Sequence, residues 1–520
     1  LEEFFSHTTT SVNQLLDSPT LQHDLSMLFV LGVRAIQKAT TPEQRSKAWN
    51  FIMQLPSLSL KNQRTETAVS NAFVAIFNNQ SQQLLADLHQ KANETTHVFQ
   101  HNNNNNNNNN SGAPMNIDHA ADSNSAALLA EHSLEDLNIA HRVNANFNRD
   151  SNLAKAASHL FEPKEYVRWD TPGVPERVKA LLREDEPLIT EEQKITTEQN
   201  EAPLLSKDDV ELALASLNRA SAGITGWSPS LIKSLASTQQ GLEAITFITN
   251  ALLRRDCPIM EGLSTSVLIC LAKPNNGVRP IMIGDTWMRL METCITKEVN
   301  FLSKDMYPTQ MAIGAPSGGE DIIHLVRAAL EADNNYIALK TDLTNAYGSI
   351  FRRSIFDTIR SNYPIGTGEL TKWYLNNHLS LPSRYIASNG AISSYTRGVA
   401  QGGPMSMFLF CRTLHQSIVR QQFLINRDHA GNGLVIALAD DVVFLAPPVT
   451  AFSAVTLFAA SIRRIGLALN PQKSNILWIN PSQATIDTLN LDGFKARGFP
   501  APVKCMTILG TPRSEEHTSE

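Results

Sequence analysis

Cysteine is scarce in this 520-residue chain: Cys257, Cys270, Cys294, Cys411 and Cys505 are scattered, with no CxxC and no Cys/His zinc spacing. That excludes a disulfide framework or zinc finger and predicts reduced, mostly buried thiols in an intracellular protein. No run approaches the roughly 18 uninterrupted apolar residues of a membrane helix. No secretory or other targeting signal is seen, so no membrane partner is expected. Neither sign of charge dominates, the formal net being −6. The balance is uneven, however. Residues 265–512 hold 22 Lys+Arg against 16 Asp+Glu, a surplus of +6 that leaves −12 for the remainder. A locally basic segment suits a polyanionic partner. With 42% hydrophobic residues, the length accommodates roughly two to four domains and a substantial core.

The two ends read as unnatural. The chain starts at Leu1 in mid-pattern, and 513–520 (RSEEHTSE) resembles a translated sequencing-adapter scar, so different residues are expected beyond Pro512. Residues 1–100 form a helical N-terminal region, with one stripe at Leu21, Leu25, Leu28 and Leu31 and another at Trp49, Ile52 and Leu55. Residues 101–124 form an Asn-rich linker, expected to be disordered because the run Asn102–Asn110 has no apolar side chains to pack. Residues 125–205 are helical at first, then acidic and punctuated by Pro163, Pro172, Pro175 and Pro187. No chemistry is legible before Ser206.

From there the texture changes. Ser206 caps a helix with Val210, Leu212, Leu214 and Leu217 on its apolar side, and Ser228-Pro229 opens another. A strand over 266–272 runs into KPNNGVRPI, where Asn276-Gly277 signals a hairpin with Lys273 and Arg279 on opposite arms. The two cations could converge on phosphates, or the turn could simply be solvated. A strand over 336–342 ends in Asp342, either a site carboxylate or a helix cap. The glycine-dense stretch 396–406 leads into a long apolar helix and lets backbone approach a ligand. GLVIALADDVVFLAPP, residues 433–448, sets Asp440 and Asp441 side by side among strand formers. Two adjacent carboxylates repel each other and resist desolvation, and a divalent cation removes both penalties. A plain hydrophilic hairpin tip competes; a membrane span does not, with two central Asp and a following Pro pair.

Together, in order and spacing, these pieces resemble the fingers and palm of reverse transcriptases of the non-LTR (LINE-type) retrotransposon group. DLTNAY (342–347), GVAQGGPMS (398–406), Ala439-Asp440-Asp441, 466–473 and Ile508-Leu509-Gly510 resemble five successive palm motifs. SAGITGWSP (221–229) and KPNNGVRPI (273–281) are similar to the fingers loop and hairpin. Three positions depart from the pattern: Leu438 replaces Tyr or Phe, Gly403 replaces a frequent Asp, and the upstream loop lacks its usual Pro and Asp.

The resemblance implies an α+β fold over 206–512, fingers and an antiparallel palm sheet with packed helices, the thumb missing, preceded by the mainly helical region. It implies RNA-directed DNA synthesis from an RNA template, a DNA primer and deoxynucleoside triphosphates, with the element RNA in a ribonucleoprotein and residence in nucleus and cytoplasm. Two Mg²⁺ ions, or Mn²⁺, would be held by Asp342, Asp440, Asp441 and the Leu343 carbonyl. Lys273 and Arg279 would grip the triphosphate, Gln401 and Gly402 would line the templating pair, and Lys473 could protonate the leaving pyrophosphate. Tyr347 would lie under the sugar and reject ribonucleotides. A catalytically inactive, domesticated RNA-binding relative is the alternative, and the three intact carboxylates speak against it.

Overall fold

In this computed structural model the described residues are 19–60, 166–197, 203–217, 222–273, 277–302, 304–362, 368–431, 433–478, 491–503, 506–508 and 511–513. All but Tyr166 belong to one unit, Leu1–Val74 with Val167–Glu520. The Asn run and the helix expected over about 125–159 lie outside the described residues.

The strands are β1 (Thr265–Lys273), β2 (Gly277–Ile283), β3 (Ile337–Thr341), β4 (Ser383–Ile386), β5 (Ile392–Tyr395), β6 (Leu434–Leu438), β7 (Asp441–Ala446), β8 (Asn475–Leu477), β9 (Met506–Ile508) and β10 (Thr511–Arg513). They form two four-stranded sheets, ordered β2-β1-β4-β5 and β6-β7-β3-β8, and the small pair β9-β10. The second sheet is antiparallel throughout, and the first is antiparallel except for β1 beside β4. The fold is α+β. The single strand expected over 503–510 is instead the short pair β9-β10, in which Arg513 faces Met506.

Of helices α1 (Pro19–Lys38), α2 (Pro42–Leu60), α3 (Val174–Leu181), α4 (Lys207–Ser216), α5 (Pro229–Leu235), α6 (Gln239–Leu253) and α7 (Thr286–Leu302), α3 packs on β2 of the first sheet and the others pack on one another. Ser206 caps α4 reciprocally with Asp209, and the Ser228 hydroxyl accepts the Leu231 N–H, as the sequence requires. Two apolar stripes are narrower than expected. Leu31 and Leu212 are 42% and 60% exposed. Phe29, Val33 and Ala213 take the core side instead, because each helix is buried on a face rotated from the leucine row.

The sequence separates 1–100 from 206–512, but α1 and α2 share a core with Trp227 and with Trp287 of α7. Phe29 stacks on Trp287 at 5.5 Å and meets Trp227 edge-on at 5.7 Å, while Trp227 crosses Trp287 at 5.6 Å. All three rings are fully buried, and the Trp227 indole N–H donates to the Ile52 carbonyl at 3.1 Å. Such ring pairs add about 0.5–1.5 kcal/mol each beyond area burial. Residues 167–197 are equally integrated: Trp169, Val174 and Val178 pack with Val278, Met282 and Tyr385 of the first sheet.

Helices α8 (Gly318–Ala332), α9 (Arg352–Asn362), α10 (Ser406–Asp428) and α11 (Pro448–Arg463) surround the second sheet. Ile322, Val326 and Leu330 of α8 meet Ala338, Ile436, Val443 and Leu445 on one face. On the other, Phe444 meets Phe458 of α11 at 5.4 Å. Side-chain alternation along β3 and β7 makes this two-faced packing possible.

Candidate active site

The register of the second sheet fixes the acids. Thr341 pairs with Val442 and Lys340 with Val443, so Asp342, one residue on, falls opposite Asp441. Leu438 pairs with Asp441, which leaves Ala439 and Asp440 as the hairpin turn. Ala439 sits at φ 54°, a left-handed conformation unfavourable for a residue with a β-carbon. Gln310, wholly buried, holds it there: its Oε1 accepts the Ala439 N–H at 2.9 Å, and its Nε2 donates to the Ala439 carbonyl at 3.2 Å. Adjacent backbone bonds, Ala437 N–H to Thr309 O and Met311 N–H to Ala437 O, both 2.8 Å, close the β6 edge.

Beyond β3 the chain pairs with residues 468–474. The Asn470 N–H donates to Asp342 O at 2.8 Å, the Thr344 N–H to Ala468 O at 2.9 Å, and the Asp342 N–H to the Ser474 hydroxyl at 3.1 Å. Leu343 bridges Leu469 between those bonds, so its own carbonyl points away from the pairing. The same segment brings up Lys473.

Tyr347 follows a turn at Asn345, φ 46°, whose side-chain amide donates to Leu181 O at 2.8 Å. The Tyr347 ring stacks on Phe410 of α10 at 4.6 Å, and its hydroxyl reaches the Met407 Sδ at 3.0 Å. The glycine-dense loop lies against this turn. A β-carbon at Gly398, φ 78°, would stand 2.4 Å from the Tyr347 carbonyl, so only glycine permits the approach. At Gly403, where the resemblance puts Asp, a β-carbon would stand 2.7 Å from the Ser406 Oγ and 3.4 Å from Glu292 Oε2.

These elements enclose a cleft of about 880 Å³ lined by Lys273, Arg279, Asp342, Leu343, Tyr347, Gln401, Gly402, Asp440 and Lys473, together with α3 residues such as Arg177. Nine of the ten expected site residues therefore face one space. The tenth, Asp441, pairs with Lys340 at 3.4 Å instead of lining it. β1–β2 pairing, with Leu271 facing Arg279 and Lys273 facing Gly277, puts the two cations on opposite arms as expected; residues 274–276 of that turn lie outside the described residues. Burial raises the Asp342 carboxyl above its ordinary value, as does Asp441, against Lys473, Lys273 and Lys340. Burial also raises Asp440, as do Asp441 and Asp342, while its own N–H and Arg279 oppose the shift. Burial, Arg279 and Lys473 hold Lys273 down, and Asp342 and Asp440 resist.

Among the described residues no three His, Cys, Asp or Glu side chains are grouped closely enough to hold a metal. The donor chemistry still suits divalent cations: two mutually repelling carboxylates and a carbonyl turned from its own pairing are hard oxygen donors that such ions would relieve.

Several residues that hold the site are silent in the sequence. Arg352, 2% exposed, donates to the carbonyls of Gly398, Leu379 and Leu381 at 3.0, 3.1 and 2.6 Å. Arg397 joins Ser349 O to Gly466 O at 2.7 Å each. Glu186 accepts the N–H groups of Arg352 and Arg353, both at 2.9 Å. Each is a lone polar residue with distant partners, so no local pattern marks it.

No helix among the described residues is long and apolar enough to cross a membrane. No curated protein matches the chain in sequence. Residues 271–512, which carry the second sheet, the glycine-dense loop and most of the first sheet, are similar to the reverse transcriptase (RNA-dependent DNA polymerase) family, and that segment supplies the cleft's lining apart from the α3 residues.

Proposed function

We propose that the chain is the fingers and palm of a non-LTR (LINE-type) retrotransposon reverse transcriptase that extends a DNA primer on an RNA template. The observation that carries this reading is the β3–β7 register, which sets Asp342 opposite Asp441 and beside the Asp440 turn, on a cleft shared with Lys273 and Arg279. Asp342, Asp440 and the Leu343 carbonyl would hold two Mg²⁺ ions, or Mn²⁺, with Asp441 supporting Asp342 from across the ladder. Bound there, the ions would supply charge neutralisation for the attacking primer oxygen and the departing pyrophosphate.

The chain's own residues do the rest. Lys273 and Arg279 bind the triphosphate oxygens from the two arms of one hairpin. Gln401 and Gly402 present backbone to the forming base pair, and the Tyr347 ring supports the deoxyribose. Lys473 is placed to give a proton to the leaving pyrophosphate. The element RNA, carried in a ribonucleoprotein, is the proposed template.

The test is Asp440→Asn in the full chain with a primed RNA template. Mg²⁺-dependent deoxynucleotide incorporation should vanish while RNA binding persists. Unaltered incorporation would sink the reading. An inactive wild type that still binds RNA tightly would favour the domesticated, RNA-binding alternative.

A further inference from the structure

Behind the glycine-dense loop lies a second cavity of about 490 Å³, between α7, β4, β5 and residues 374–382. Gly403 and Ser406 line both this cavity and the catalytic cleft, so the Gln401–Ser406 turn is the partition between them. In front of it the proposed nucleotide would bind. From behind, Glu292 of α7 reaches it: its Oε2 lies 3.4 Å from where a β-carbon on Gly403 would stand.

The carboxyl is held in place. The Tyr374 hydroxyl donates to Oε1 at 3.1 Å, and the Tyr374 ring stacks on His378 at 5.5 Å. The Met405 N–H, just before α10, acts on the same carboxyl. Oε2 itself is closed off from solvent without a hydrogen-bond partner among the described residues, a costly arrangement for an acceptor. The turn in front has few other ties. The Met282 N–H donates to Gln401 O at 3.3 Å, the Gly403 N–H to Ala400 O at 3.4 Å, and the Ser406 N–H to Gly403 O at 3.1 Å. Glu292 is also linked to the hairpin by chain, because α7 follows β2, the strand that carries Arg279, after two residues.

We infer that Glu292 is a positioning residue for nucleotide selection, bracing the Gln401–Gly403 turn from the fingers side at the height where it meets the forming base pair. The inference rests on the reading given under Proposed function. It couples the arm that grips the triphosphate to the backbone that inspects the base. Gly403 is part of the device, because a β-carbon there would stand 2.7 Å from the Ser406 Oγ and touch the Glu292 carboxyl at 3.4 Å.

The test compares Glu292→Ala and Glu292→Gln in the full chain, with a primed RNA template and single deoxynucleotides. Glu292→Ala should raise the KM for the correct nucleotide about tenfold, leave kcat within about threefold, and raise misincorporation several-fold. Glu292→Gln, which keeps the shape and the acceptor for Tyr374, should return KM to within about threefold of wild type. Burial pushes the Glu292 carboxyl up to about 7, opposed by Tyr374, Met405 and Arg289; Asp285, His378 and Arg255 line the same cavity. The wild-type KM should therefore vary with pH near neutrality and that of Glu292→Gln should not, a readout that survives even if Glu292→Ala fails to fold. An active wild type whose KM, fidelity and pH profile are untouched by both substitutions overturns the inference alone. An inactive wild type overturns it together with the polymerase reading.

Discussion

Asp285 and Asp342 both sit at the ends of strand-forming runs, and burial raises both carboxyls, yet they are used in opposite ways. Asp285 is saturated: it accepts the Thr225 N–H at 3.1 Å, the Thr225 hydroxyl at 2.7 Å and the Trp287 N–H at 3.0 Å. Glu298 resembles it, accepting the Thr371 N–H at 3.0 Å and the Thr371 hydroxyl at 2.8 Å. The Asp342 carboxylate accepts no hydrogen bond from any described residue, and Asp440 has only its own N–H. Asp342 faces Lys473, Lys273, Lys340 and Asp441 instead, and Asp440 faces Arg279, Asp441 and Asp342. A raised pKa therefore does not separate an acid that serves the fold from one that serves chemistry. The number of fixed donors does: the fold fills lone pairs, and a site leaves them open for a ligand.

The largest effect should come from paired substitutions. Asp342→Asn should cost at least about a thousandfold in nucleotide incorporation, roughly 4 kcal/mol, with the urea midpoint nearly unmoved. Asp285→Asn should do the reverse, lowering stability by about 2–3 kcal/mol by urea unfolding, because one donor would face an amide N–H₂. If Asp285→Asn were as inactive as Asp342→Asn yet fully stable, donor count would be a false guide.

Tyr347 sharpens the comparison on the cleft side. In Tyr347→Val the ribose 2′-hydroxyl should meet less obstruction, improving ribonucleotide use by about tenfold to a few hundredfold, roughly 1–3 kcal/mol, with deoxynucleotide use little changed. The ring also stacks on Phe410, so an equal loss for both nucleotide classes in single-turnover assays would make it a packing residue.

The smallest effect is on the pH dependence of stability, set by groups of the second cavity. Glu292, raised to about 7, keeps when folded a proton that the unfolded chain loses above its ordinary value of 4.5. Stability should fall as pH climbs through that window. His378, lowered by burial to about 4, stays neutral when folded while the unfolded chain protonates below 6.5, so stability should also fall as pH drops from 6.5 toward 4. Between pH 4.5 and 6.5 the two contributions oppose each other, so stability should be level there and fall on either side by less than about 1 kcal/mol, both groups being half-buried. In urea titrations Glu292→Gln should remove the alkaline fall and leave stability rising from pH 4 to 6.5 through His378.

What the sequence made legible was local. Strand alternation ending in Asp342, the Asp440-Asp441 hairpin, the Asn276-Gly277 arms and the Ser206 and Ser228 caps each arise from a few neighbouring residues. Gln310 was not legible, since its work is to hold Ala439, 129 residues away. Nor was Arg352, whose partners span three loops. Leu31 and Leu212 fit a periodic stripe but face solvent, because the docking surface and not the stripe decides which side is buried.

The Phe29–Trp227–Trp287 cluster has a practical consequence. A fragment trimmed to the matched residues 271–512 would keep Trp287 and lose both rings that cover it. Water would meet a bare indole on α7, the helix that also carries Glu292, and such faces drive chains to associate. Insoluble product from that fragment would report a cut through a core and nothing about catalysis. Soluble material would need α1, α2 and the segment that carries Trp227 restored, most simply in the same polypeptide.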